Sequence, residues 1–248
     1  VDKKAGAQTC KACTAAVPPE ARFCPSCGAR LVEQPILPTP SDTQPGGELR
    51  QITVMFCDIV GSTRLSTELH PEDLRELIRA YHVICAAEIE GRGGMIASYM
   101  GDGVMAYFGY PQASEDSAMR AADASLGITR RIAQMGERLQ IERGLPLATR
   151  VALHTGRVLV GEIGAGVHRD RHAVTGVVPN LAARLESLAP RNGVVVSEQT
   201  RALIQRAFRV DALGSYDLKG IPQPVEVYRL LSRKPPASVL RDPQALLI

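Results

Sequence analysis

Ile52-Thr53-Val54-Met55-Phe56-Cys57-Asp58-Ile59-Val60-Gly61-Ser62-Thr63 is the stretch on which the reading of this chain turns. Its opening residues are β-branched, aromatic or apolar up to a single carboxylate, the pattern of a short buried strand closed by Asp58. A second segment repeats the logic: Tyr99-Met100-Gly101-Asp102-Gly103-Val104-Met105-Ala106-Tyr107-Phe108 sets Asp102 in a glycine turn between two strand-like runs. A carboxylate at a strand edge stabilises little but is a good ligand for a hard cation. Two of them, brought together by strand pairing, suit the paired divalent ions of phosphoryl chemistry.

Outward from this stretch the pattern alternates between strand and helix. Residues 71–90 are expected to be helical, because Leu74, Leu77, Ile78, Tyr81, Ile84, Cys85 and Ile89 recur mostly at three- and four-residue spacing. Gly93-Gly94 ends that helix, and strands over 95–100 and 104–108 form a hairpin around Asp102. Ser114 is expected to cap a helix running to residue 143, with Glu115 and Asp116 in its first turn. Strands over 148–154 and 158–163, a helix over 179–188, a strand over 194–197, a short helix over 198–207 and a closing pair, 216–218 with 225–230, complete the set. This order predicts a ferredoxin-like α+β fold, with helices on one face of a mostly antiparallel sheet.

The chain has 248 residues, enough for one domain of about 180 residues and a small module. Hydrophobic residues make up 45% and charged residues 22%, so a normal core is expected; a net charge of +3 argues for neither nucleic acid nor an anionic membrane. No apolar run approaches the roughly 18 residues of a membrane span, and no signal-peptide pattern opens the chain. A cytoplasmic protein without a membrane partner is expected. Four of six cysteines form two CxxC pairs, Cys10/Cys13 and Cys24/Cys27. Without a secretory signal this spacing favours one structural zinc, held by all four thiolates, over disulfides. The expected layout is a zinc ribbon at 8–31, a Pro/Gly-rich linker at 32–48, a main domain at 49–231 and a tail at 232–248. Cys57 and Cys85 read as buried core residues.

Three segments together resemble the motifs of class III nucleotidyl cyclase catalytic domains: residues 56–63, residues 101–108, and Asn180-Leu181-Ala182-Ala183-Arg184-Leu185. They occur in the family's order, and Leu218-Lys219-Gly220 and Val225-Glu226-Val227-Tyr228 fit its closing strands. The resemblance covers residues 50 to 231. It implies two Mg²⁺ or Mn²⁺ per site, held by Asp58, Asp102 and the backbone carbonyl of Ile59. The free N–H groups around Gly61, Ser62 and Thr63 would receive the triphosphate. Asn180 and Arg184, four apart on one helical face, would come from the opposite subunit of a homodimer, the Asn orienting the ribose and the Arg stabilising charge on the α-phosphate.

Two positions depart from the family. Where a Lys usually precedes the second metal Asp by four residues there is Ser98, and where an Asp, Thr or Cys usually precedes the Asn by seven there is Ala173. These positions read the purine edge. Losing a buried base contact costs about 1–3 kcal/mol, with Tyr99, His172 or Thr175 as conceivable substitutes. The expected function is an adenylate cyclase forming 3′,5′-cyclic AMP and pyrophosphate from ATP. The alternatives are a guanylate cyclase, or a degenerate cyclase fold used for regulated dimerisation or nucleotide binding. A nucleic-acid role is unexpected, because the ribbon region offers Phe23 as its one aromatic; the ribbon is expected to regulate or to dock a protein partner. Lys219 reads as a residue at the sheet's end, and His154, His168 and His172 carry no metal spacing and no catalytic role.

Overall fold

The computed structural model describes residues 8–10, 13–17, 26, 48–163 and 170–235. The chain divides into two compact units, Val1–Gly46 and Gly47–Ile248.

In the smaller unit, β1 (Gln8–Thr9) pairs antiparallel with β2 (Ala16–Val17), Thr9 opposite Ala16. Cys10 and Cys13 lie in the tight turn between them, closed by Cys10 N–H donating to Ala15 O at 2.9 Å and Thr14 N–H to Cys10 O at 2.9 Å. Cys10 is buried and Cys13 half-buried. Cys24, Cys27 and the linker at 32–47 fall outside the described residues.

The larger unit is built on β3 (Glu48–Ile59), which extends the expected strand at both ends. It runs between β5 (Gly103–Phe108) and β6 (Thr149–Ile163), antiparallel to both. The sheet order is β4-β5-β3-β6-β8-β10-β9, with β4 Met95–Met100, β8 Gly193–Ser197, β9 Phe208–Tyr216 and β10 Val225–Arg233; β7 (Asp170–Thr175) pairs with β6 off that path. β6 and β8 run parallel, and every other pair described in this sheet is antiparallel. This is the α+β architecture with a mostly antiparallel sheet expected from the sequence.

Side-chain alternation along β3 sorts the layers. Met55, Cys57 and Ile59 enter one core with α2 (Pro71–Glu90) and α3 (Ser117–Arg143), where Tyr81, Cys85, Ile128 and Ile132 are fully buried. Ile52 and Val54 face the other way, against Val178 and Ala182 of α4 (Val177–Glu186). The helices therefore cover both faces, and the expectation of one covered face is corrected by α4. α2 has the expected bounds, with Pro71 at its first turn. Among the described residues no helix is long and apolar enough to cross a membrane.

Four further expectations give way. Residues 149–163 form one continuous strand, not two, because Gly156 is an approach point rather than a break: a Cβ there would lie 2.6 Å from Val178 Cγ2. The missing side chain lets α4 lie on β6. α3 begins at Ser117 with Asp116 at its cap and no acid in its first turn. The Ser114 hydroxyl is spent on Asp116, whose carboxylate pairs with Arg120 at 2.8 Å. α4 begins at Val177, so Pro179 is its third residue. Finally, β10 pairs with 208–216 rather than 216–218, and β7 has no counterpart in the expected set.

Candidate active site

Alternation places Asp58, like Ile52 and Val54, on the α4 face of β3. Asp102 lies in the two-residue turn between β4 and β5, entered through Gly101 at φ 65°, a left-handed backbone that favours glycine. The β3–β5 register, ending with Cys57 opposite Val104, carries this turn to the end of β3. A Cβ on Gly103 would stand 3.7 Å from Asp58 Oδ1. The two carboxyls lie close enough for each to act on the other's charge.

Burial pushes the Asp58 carboxyl up to about 7, and the like charge of Asp102, with Glu186 further off, pushes the same way; the Ile59 N–H pulls it down. Asp102 Oδ2 is enclosed without a donor. An orphaned carboxylate oxygen beside a second half-buried carboxylate costs stability. All the donors are oxygen, and the residues present fit a hard divalent cation.

The backbone here is pinned from below. Thr149 Oγ1 donates to Asp58 O at 2.8 Å and sits 3.3 Å from the Tyr81 hydroxyl. Thr149 N–H donates to Asn192 Oδ1 at 3.0 Å. Ile59 ends the strand, its side chain buried. Gly61 follows at φ 74° and caps α1 (Ser62–Glu68). Arg64 and Leu65 N–H groups already donate to Gly61 O at 3.0 and 3.2 Å, and no side chain caps the helix. The Ser62 and Thr63 N–H groups thus lie outside the intrahelical ladder, just past Asp58.

Asn180 and Arg184 do lie on one stripe of α4. Asn180 is exposed, its Nδ2 3.5 Å from the oxygen of Gly176, which caps the helix. Arg184 is half-buried, with an Nη 3.6 Å from where a Gly220 Cβ would stand. Glu186 is two residues on, about 200° around the helix; it is the residue whose charge reaches Asp58 and Asp102. Among the described residues no hydrogen bond joins Asn180 or Arg184 to Asp58 or Asp102 within one chain. The structure brings the two aspartates together and leaves the Asn/Arg pair on another side of α4.

Ser98 stands opposite Met105, itself opposite Phe56, so it shares the face of Asp58 in a row of half-buried apolar side chains. Its hydroxyl reaches the Tyr99 carbonyl at 3.5 Å. Tyr99 must then turn to the opposite face, where its ring lies 4.5 Å from that of His82 on α2. It is a poor substitute for the base contact. Ala173 pairs with Gly161 across β6 and β7; its side chain, like those of His172 and Thr175, falls outside the described residues. His154 is a core residue, hydrogen-bonded through Nδ1 to Ser197 Oγ at 2.7 Å, and burial pulls it down to about 4.

Sequence reading missed three neighbours of the aspartates. Arg150 is directly opposite Asp58 on β6, Glu186 ends α4, and His82 lies near enough for the charge of Asp102 to act on it, with burial lowering its pKa. Arg150 carried a signal, as the one charge in the apolar run Ala148-Thr149-Arg150-Val151-Ala152-Leu153.

Residues 46–232 match the model of the adenylate and guanylate cyclase catalytic domain, and residues 9–31 match a zinc-ribbon domain. An uncharacterized protein of Rhizobium meliloti is 36% identical over 190 residues, which are 76% of this chain and 18% of that relative. The chain thus spans less than a fifth of that relative's length. The crystal structure of the adenylyl cyclase CyaB from P. aeruginosa is similar, with a TM-score of 0.72 and 29% identity, covering 76% of this chain and 97% of that one. That of the guanylyl cyclase Cya2 gives a TM-score of 0.72 and 28% identity, covering 77% and 97%. On the match of its catalytic unit, the chain belongs to the adenylate and guanylate cyclase catalytic domain family.

Proposed function

We propose that the chain is an adenylate cyclase, converting ATP to 3′,5′-cyclic AMP and pyrophosphate at a site completed by a second copy of itself. The observation that carries the reading is the Asp58/Asp102 pair, with one enclosed oxygen lacking a donor. Divalent cations, two Mg²⁺ or Mn²⁺ per site on Asp58, Asp102 and the Ile59 carbonyl, would acidify the ribose 3′-hydroxyl and neutralise the triphosphate. Ser62 and Thr63 N–H groups, beside Gly61, take phosphate oxygens next to that pair. Asn180 of the second copy orients the ribose. Its Arg184 meets the charge that develops on the α-phosphate, where a planar, permanently charged fork is suited to phosphate oxygens. Head-to-tail two-fold pairing gives two equivalent sites per homodimer. The N-terminal unit is read as holding one Zn²⁺ on Cys10, Cys13, Cys24 and Cys27, and as a regulatory or docking module.

A second reading, GTP as substrate or nucleotide binding without turnover, draws on Ser98 and Ala173, which lack the expected base-reading groups. One experiment separates these. Purified protein is incubated with each of the four nucleoside triphosphates and Mn²⁺, and cyclic products are read by mass spectrometry with Asp58→Ala as control. Cyclic AMP as main product supports the proposal and cyclic GMP the guanylate alternative. A folded dimer giving no product from any nucleotide leaves the binding module.

A further inference from the structure

The face that β6 turns to α2 and α3 is apolar at Val151 and Leu153, both fully buried. The next position on that face is Thr149, and the α2 residue that meets it is Tyr81; both are fully buried too. Valine and phenylalanine would fill the same space. Two hydroxyls in such a core carry a desolvation cost that hydrogen bonds must offset. Their bonds converge on one atom. Thr149 Oγ1 donates to Asp58 O at 2.8 Å, against 3.4 Å to Arg150 O. That uses its one proton, so the Tyr81 hydroxyl, 3.3 Å away, is the donor to Thr149.

Thr149 is also gripped through its backbone. Its N–H donates to Asn192 Oδ1 at 3.0 Å, and Asn192 N–H returns a bond to Thr149 O at 2.7 Å. The ladder between β3 and β6 explains what the hydroxyl holds. Val60 N–H donates to Ala148 O at 2.9 Å. Val60/Ala148 and, two residues back, Asp58/Arg150 are therefore hydrogen-bonded pairs, and Ile59/Thr149 between them is not. Ile59 thus turns both its N–H and its C=O away from β6, toward β5. Counting two residues past the Cys57/Val104 pair brings Ile59 level with the turn that holds Asp102. The peptides on either side of Ile59 are anchored to β6, one through Val60 N–H and one through Asp58 O, where Thr149 adds a second donor. Two residues on, Gly61 leaves the sheet in a left-handed turn, the place where a strand end frays unless it is held.

We propose that Thr149 is a positioning residue for the cation site: its hydroxyl, backed by Tyr81, fixes the Asp58–Ile59 peptide and so keeps the Ile59 carbonyl directed to the Asp102 turn. The inference rests on the proposed reading of Asp58, Asp102 and the Ile59 carbonyl as metal ligands. Thr149 and Tyr81 lie on the α2 and α3 side of the sheet, opposite the Asp58 side chain, and are assigned no contact with metal or substrate.

The test uses the full chain without nucleotide, Mn²⁺ alone as probe and electron paramagnetic resonance as readout. Thr149→Val keeps the shape and removes the hydroxyl; it should weaken Mn²⁺ binding about tenfold, the scale for a group that orients a metal ligand. Thr149→Ser keeps the bond to Asp58 O and should bind within about twofold of wild type. A residue that merely packs the core gives another pattern. A lower melting temperature in Thr149→Val with Mn²⁺ affinity unchanged, or a Ser variant as weak as the Val one, would each overturn the proposal. Should Thr149→Val fail to fold, Tyr81→Phe decides: a loss of about threefold supports the role, and unchanged affinity sinks it. Asp58→Asn separates this from the underlying reading. If it binds Mn²⁺ as well as wild type does, the aspartates are not the metal site, and the role of Thr149 falls with them. Weakened binding there beside wild-type binding in Thr149→Val removes the role of Thr149 alone.

Discussion

Asp58 and His154 occupy neighbouring strands, and the fold treats them in opposite ways. His154 opens a closed chain of polar groups: Nδ1 to Ser197 at 2.7 Å, Ser197 to Thr200 at 3.3 Å, Thr200 to Thr155 at 3.0 Å, and Thr155 to Thr53 at 2.8 Å. Every member is buried, and each hydroxyl has a partner inside the protein. At the far end of β3, two carboxyls lie close together and one oxygen has no donor. Satisfied polar groups in a core fix a fold, whereas unsatisfied ones carry a cost that a bound ion, ligand or water can offset. A buried histidine invites a catalytic role, and here its bonding argues for a structural one.

The comparison breaks first, if it breaks, on activity. Asp58→Ala and Arg184→Ala should each lower turnover ~100-fold or more. Mixed and re-equilibrated, they should recover about a quarter of wild-type activity, because half the dimers are then mixed and each mixed dimer keeps one intact site of two. Intact dimers with no recovery would mean that the two halves do not meet across subunits.

Stability should show the reverse ranking. His154→Ala should cost about 2–4 kcal/mol, from the cavity and the stranded Ser197 hydroxyl, measured by urea unfolding. A cost below about half a kcal/mol would show that the polar chain is not structural. Wild type should also lose stability as pH falls from 6.5 towards 4, where the unfolded histidine takes up a proton that the buried one refuses.

The smallest effect has the opposite sign. The Asp58 carboxyl, at about 7, lies above its unfolded value, so its stabilising contribution is present at low pH and disappears as pH rises through 7. Metal-free Asp58→Asn should therefore be more stable than wild type at pH 8, by on the order of 1 kcal/mol after discounting for partial exposure, and that advantage should vanish near pH 4. Lower stability than wild type at pH 8, read as melting temperature in chelator, would contradict the strained-carboxylate picture.

Local signals were readable where one physical rule acts alone. The three- and four-residue apolar repeat with Pro71 at its start gave α2 its observed bounds, and the glycines around Asp102 marked the hairpin turn. The signals failed where a distant group reassigned a local one. Gly156 looks like a strand break until α4 needs its missing Cβ; Ser114 looks like a cap until Asp116 takes its hydroxyl. At the site, the pairing of Asp58 with Asp102 followed from strand order. The surroundings of Arg150 and Glu186 depend on how a helix 36 residues later in the chain than Arg150 lies across the sheet, and no local pattern announces that. Tyr99 shows the same limit: one residue from Ser98 in sequence, it belongs to the other side of the molecule.

The roughly 200° between Arg184 and Glu186 also bears on control. In the proposed homodimer, Arg184 serves the site of a second copy and the helix does not finish its own. On the proposed reading, output at low abundance rises with the square of the amount of chain present. Anything that raises the local concentration of copies, such as a scaffold, a filament or a common partner of two N-terminal units, would then act as a switch without touching the nucleotide.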